Sequence, residues 1–215
     1  MTEKFTNISF PISALLDQIS SGQIALPELQ RPFVWDRPQV RDLLDSLYRG
    51  YPTGYFLLWQ ARPDAAFTQI GTGEKQSTPN LLVVDGQQRL TSLYAVFRGA
   101  EVTNDKFQKT RVQIAFQPAK GRFEVTNTAI SNDPEWIPDV SVLLSNSAKS
   151  FDFINTYLND LRRTRDVTNE LSSTIAQNLQ RLAGLTNYPF HAIQLSFDLP
   201  VEEVAPNDAD HEEEQ

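Results

Sequence analysis

Cysteine is absent from the 215-residue chain, which excludes disulfides, a thiol nucleophile and cysteine-based zinc sites. Histidine occurs only as His191 and His211, with no H-E-x-x-H or H-x-x-x-H pair from which to build a zinc hydrolase. Long apolar runs are missing as well: Tyr55-Phe56-Leu57-Leu58-Trp59 is far shorter than the ~20 residues of a spanning helix. Met1-Thr2-Glu3-Lys4 leads into no apolar stretch of a secretory signal. A P-loop is missing too, because Gly71-Thr72-Gly73-Glu74-Lys75 lacks the required spacing. Together these absences predict a cytoplasmic, soluble protein with no membrane partner.

What is present is an ordinary globular balance, with 40% hydrophobic and 21% charged residues. The net charge of -8 is concentrated at one end. Residues 202–215 hold seven acids and no Lys or Arg, leaving 20 acids against 19 bases in the rest. A body so close to neutral carries no basic stripe for general polyanion binding, although it is compatible with a local phosphate site. The acidic tail has almost nothing apolar to bury and is predicted to be disordered.

Helices and strands alternate along the chain. Ile12, Leu15, Leu16 and Ile19 recur at helical spacing, and Gly22 is a stop signal. Ile24 to Pro27 reads as extended; Pro38 opens a second helix striped by Val40, Leu43, Leu44 and Leu47 and closed by Gly50. Residues 55–59 and 81–84 read as buried strands, with a polar loop or mobile hairpin over 62–80 between them. After Gly86 a third helix carries Leu90, Leu93, Tyr94 and Phe97. Val112, Ile114 and Phe116 alternate as a strand whose hairpin partner is 122–125. Residues 151–182 are helical in pattern, and Ile193, Leu195 and Phe197 form a last strand that includes His191 as a structural residue. The expected fold class is α+β, with a more helical segment near 130–185.

Val83-Val84-Asp85-Gly86-Gln87-Gln88-Arg89-Leu90-Thr91 is the most informative segment. A strand that breaks at glycine straight into a helix points the helix's free N–H groups and positive dipole end at the turn, where an anion is favoured. Arg89 adds a fork that suits a phosphate; Gln87 and Gln88 could position water or phosphate; Asp85 could hold Mg2+. The same spacing also fits a plain capping box between Asp85 and Gln88. A second cluster is Gln30-Arg31 followed by Phe33 and Trp35. These rings could stack on a base. Alternatively, Phe33, Val34 and Trp35 anchor the loop, and Arg31 pairs with Asp36 or Glu28.

The two segments in this order, with Arg49-Gly50-Tyr51-Pro52-x-Gly54 between them and Asp85-Gly-Gln-Gln-Arg-Leu-Thr-Ser-Leu93 after it, resemble a known domain. It is the ParB-like, DGQQR-motif domain at the amino terminus of GmrSD-type modification-dependent restriction enzymes, with relatives among phosphorothioate-sensing defence proteins. The resemblance covers roughly residues 8–200. It implies a ParB/sulfiredoxin-like mixed sheet with flanking helices. It also implies nucleoside triphosphate binding and hydrolysis by Asp85, Gln87, Gln88 and Arg89, with Gln30, Arg31 and Gly86 lining the same pocket and Phe33 and Trp35 as base or DNA contacts. The domain plan that follows is a nucleotide-binding core over 1–130, a helical segment and closing strand over 131–200 packed on it, and the acidic tail 201–215. The implied role is anti-phage restriction of modified DNA, regulating a nuclease domain or subunit outside this chain. A non-catalytic modified-DNA sensor or a regulatory interaction domain is the alternative.

Overall fold

Asp36 starts the helix Arg37–Arg49 by accepting a hydrogen bond from the Gln39 N–H at 2.9 Å, while Gln39 Oε1 accepts from the Asp36 N–H at 2.9 Å. This reciprocal pair satisfies two backbone donors that the first helical turn leaves open. Gly50, at φ +78°, ends the helix in the left-handed conformation. Val40, Leu43, Leu44 and Leu47 are the buried stripe that the spacing predicts.

The computed structural model describes residues 4–28, 32–62, 64–72, 75 and 77–196. In chain order the elements are β1 (Phe5–Pro11), α1 (Ile12–Ser20), β2 (Ile24–Pro27), α2 (Arg37–Arg49), β3 (Phe56–Gln60), β4 (Phe67–Thr68), β5 (Leu81–Asp85) and α3 (Gln87–Arg98). There follow β6 (Glu101–Thr103), β7 (Lys109–Arg111), β8 (Ile114–Gln117), β9 (Arg122–Val125), α4 (Thr128–Ser131), α5 (Ser141–Leu144), α6 (Ser150–Arg162), α7 (Asn169–Gly184) and β10 (Pro189–Leu195). The architecture is α+β. A mixed sheet of six strands runs β1-β10-β3-β5-β2-β4, and two hairpins, β6-β7 and β8-β9, stand apart from it.

The last strand lies inside the sheet, antiparallel to β1 and parallel to β3. One apolar cluster runs from Ile12 to Ala192 and takes in Leu44 of α2, Phe97 of α3, Phe116 of β8 and Leu179 of α7. Helices α1, α2, α3, α5, α6 and α7 contribute apolar side chains to that cluster, while Ile130 of α4 packs in a smaller one with Ala115 and Trp136.

Several expectations are corrected by the coordinates. The segment over 62–80, read as a polar loop or mobile hairpin, contributes β4, which pairs with β2 at the sheet edge and not within the segment. Tyr55, read as strand core, is exposed and precedes β3. His191 is also exposed, because along β10 the buried positions are Phe190 and Ala192. The helical run 151–182 is two helices, parted where Thr168 caps α7 by accepting from the Leu171 N–H. Phe197 and the acidic tail lie outside the described residues. Among the described residues no helix is long and apolar enough to cross a membrane.

Candidate functional site

The turn after β5 sits at an irregularity in the sheet. β3 and β5 pair Leu57 with Asp85 and Leu58 with Val83, so the register skips Val84 just before the turn. A bulge of this kind bends a strand and re-aims its last side chains. Gly86 then adopts φ +92° and starts α3 with no side-chain cap. The capping box expected between Asp85 and Gln88 is therefore not formed. A Cβ at Gly86 would collide with the Phe56 ring and lie 3.0 Å from an Arg89 nitrogen, so both conformation and space demand glycine here.

Freed from capping, Gln88 is directed across the molecule. Its Oε1 accepts from the backbone N–H of Val34 at 2.9 Å and of Trp35 at 3.3 Å, and its Nε2 donates to the Pro32 carbonyl at 3.1 Å. One buried amide thus clasps the whole 32–35 loop. Ser92 Oγ donates to the Gln88 carbonyl at 2.8 Å, one turn further along α3.

Arg89 is also engaged. It donates to the Thr53 carbonyl and, at 2.8 Å, to the Tyr55 carbonyl, and its guanidinium lies 5.2 Å from the centre of the Phe56 ring. Asp85 Oδ2 stands 3.5 Å away; that carboxylate is 76% exposed, whereas the Arg89 side chain is 18% exposed. Burial lowers the Arg89 pKa, an effect partly offset by Asp85. An arginine keeps its charge regardless. The fork is directed at the 53–55 backbone, not held open as the sequence suggested. A Cβ on Gly54 would fall 2.7 Å from Arg89 NH1, so that loop approaches closely because it has no side chain there.

Two cavities meet at the start of α3. The first, about 230 Å³, is a polar cleft lined by Trp35, Val84, Asp85, Gly86, Gln87, Gln88 and Arg89. The second, about 410 Å³, is more apolar, with Phe33, Ile70, Thr91, Val102 and Phe107 in its walls and Gln87 and Gln88 again on its border. Its size falls within the range of small-molecule pockets, roughly 300–1,000 Å³. The structure thus brings Asp85, Gly86, Gln87, Gln88, Arg89 and Trp35 together. Phe33 is 7% exposed and belongs to the core while also lining the larger pocket; Trp35 is half-buried. Gln30 and Arg31 lie outside the described residues, but their described neighbours Glu28 and Pro32 both line the larger pocket.

Sequence reading missed the walls supplied by Ile70 and Thr91. Thr91 lies one helical turn beyond Gln87, on the same face, and that spacing could have marked it. Ile70 lies in the segment that was read as a polar loop or mobile hairpin. Among the described residues no group of three or more His, Asp or Glu could hold a metal by itself. Asp85 alone fits Mg2+ only as one ligand of an ion already carried by phosphates, the usual way Mg2+ is held.

Fold and turn define an α+β domain organised around a strand–glycine–helix junction, the arrangement in which helix amino ends meet anions. The chain belongs to the family described as GmrSD restriction endonuclease, N-terminal domain, whose model matches residues 12–213. It is also 37% identical over 105 residues to the uncharacterized protein MJ0686 of Methanocaldococcus jannaschii. That alignment takes in 42% of this chain and 18% of the archaeal protein, so the chain spans a small part of this relative.

Proposed function

We propose that the domain binds a nucleoside triphosphate across the ridge formed by Gln87 and Gln88. The phosphates lie in the polar cleft at the amino end of α3, and the base and sugar lie in the larger apolar pocket. The observation that carries this reading is the shared border: a small polar cleft and a larger apolar pocket meet at Gln87 and Gln88, directly after Asp85-Gly86. One half suits a polyanion and the other an uncharged ring.

The residues take distinct roles in this proposal. Gln87 faces both cavities and orients phosphate or the attacking water, as glutamines do in some nucleotide hydrolases. Gln88 is a positioning residue, because its amide already holds the 32–35 backbone. Arg89 contributes positive potential and fixes the 53–55 loop. Asp85 supplies one carboxylate oxygen to Mg2+ arriving with the nucleotide. Gln30 and Arg31, which lie outside the described residues, are included in the proposal as further nucleotide contacts. Water attacks the terminal phosphorus as its bond to the bridging oxygen breaks, the nucleoside diphosphate leaves and inorganic phosphate is released; the protein's contribution is position and charge, not covalent chemistry.

Family membership supports a place in restriction. In this reading the nucleotide state of the domain controls a nuclease domain or subunit, and the DNA selected carries a chemical modification. A second reading is favoured by one observation: Gln88 and Arg89 both bind the protein's own backbone, which suits a non-catalytic sensor. Phosphate release under turnover separates the two. The wild-type protein with Mg2+ is expected to release phosphate in excess of enzyme, while Gln87→Ala binds the nucleotide more weakly and, at saturating nucleotide, loses at least tenfold in rate. Binding without any turnover in the wild type would leave the sensor.

A further inference from the structure

The Gly50-Tyr51-Pro52-Thr53-Gly54-Tyr55 segment has no part in holding a nucleotide. All of it but Tyr51 forms one wall of a third cavity, about 310 Å³, whose other wall is Tyr188, Pro189, Phe190 and His191 at the start of β10. The Tyr55 and His191 rings pack with centroids 5.8 Å apart and planes at 40°. Tyr188 sits edge-on to Phe190 at 5.9 Å, and its hydroxyl donates to the Tyr51 carbonyl at 3.2 Å. Tyr51 and Tyr55 remain 58% and 59% exposed. The loop presenting them is held from behind, since Arg89 donates to the Thr53 and Tyr55 carbonyls. Large aromatic rings kept in water on a fixed loop mark a surface that something else covers.

We infer that this cavity accepts one unstacked nucleobase of a DNA strand, lying against the Tyr55 and His191 rings. Three properties choose that occupant. The volume is at the low end of small-molecule sites, enough for one ring system and too small for a folded partner's element. The walls offer aromatic faces, which stack on any base whatever the sequence. No Lys, Arg, Asp or Glu lines the cavity, so the inserted group is uncharged, a base and not a phosphate or an acidic side chain. Tyr55 and His191 also carry a hydroxyl and an imidazole, groups that can hydrogen-bond a base edge. The inference rests on the DNA half of the reading above and is independent of the nucleotide half.

Extruding a base is easiest where it is already unpaired. The test therefore compares two short labelled duplexes by fluorescence anisotropy, one fully paired and one carrying a single extrahelical base, with no nucleotide present. The bulged duplex is expected to bind more tightly, and Tyr55→Ala and His191→Ala are each expected to weaken that preference about tenfold. Tyr55→Phe keeps the ring and is expected to keep the preference. Tyr55 and His191 are exposed, so these variants should melt like the wild type. Equal binding of both duplexes, binding of neither, or a preference untouched by Tyr55→Ala would overturn the inference. So would a dimer lost in Tyr55→Ala, which would assign the cavity to a second copy of the chain. Titrating the same variants with nucleoside triphosphates keeps the two proposals apart, since either can fail while the other stands.

Discussion

Arg89 shows how one residue can hold several segments. Its guanidinium joins α3 to the 53–55 loop through two carbonyls, rests on Phe56 and faces Asp85. The sequence suggested a fork suited to a phosphate; the structure also gives it a part in stability. Arg89→Ala strands the Thr53 and Tyr55 carbonyls and is expected to cost about 2–3 kcal/mol, read as a lowered urea midpoint. Weakened ligand binding in that variant then needs Gln87→Ala beside it before a phosphate contact is inferred. Lys75 provides a pH signature. Its Nζ donates to the Ile19 and Ile70 carbonyls and lies 5.0 Å over the Tyr94 ring, and burial lowers its pKa from 10.5 to about 8. Below pH 8 folded and unfolded chains both hold the proton and the burial penalty is constant. Above it the folded chain has released a proton that the unfolded chain still binds, so this group adds stability up to the unfolded pKa. Tyr48 and Tyr157, whose pKa values burial raises, act oppositely once unfolded tyrosines ionise near pH 10. Between about pH 8 and 9.5 the stability difference between wild type and Lys75→Met should therefore move in favour of the wild type. A difference that stays flat with pH would show that Lys75 does not titrate there.

At the scale of elements, the α3 turn and the 32–35 loop behave as one unit because Gln88 clasps them. Gln88→Glu keeps an acceptor for the Val34 and Trp35 N–H groups but removes the donor to Pro32 and places a carboxylate beside that carbonyl. Amide hydrogen exchange at Val34 and Trp35 is expected to accelerate in the variant while exchange in the core of α2 stays unchanged. Unchanged exchange in the loop would mean that Phe33 packing alone holds it. This clasp also marks where sequence reading stops. The Asp36–Gln39 box, the Gly50 stop and the alternation of β8 and β9 are local, separated by a few residues, and periodicity exposes them. Gln88 finds its partners 53 to 56 residues away and Arg89 finds its own 34 and 36 residues away. No spacing rule reveals such partners, and so a local capping box was the natural competing reading.

For the whole molecule, composition and alternation made the α+β class legible, whereas the sheet order did not follow from them. β10 enters between β1 and β3 because Phe190 and Ala192 complete the same apolar cluster that α1 began, a pairing across nearly the whole described chain. The start of β10 reaches the 50–55 loop on one side, and α3 reaches the same loop through Arg89. The candidate nucleotide ridge and the aromatic cavity are therefore linked through one short segment, which Arg89 holds and which lines the cavity. The central claim is the nucleotide ridge, and isothermal titration calorimetry of the purified protein against the four nucleoside triphosphates, with and without Mg2+, tests it most directly. The account predicts saturable binding of at least one triphosphate at a single site, tighter with Mg2+ and weakened by Gln87→Ala. Absence of binding for all four, or binding that Gln87→Ala leaves untouched, would contradict it.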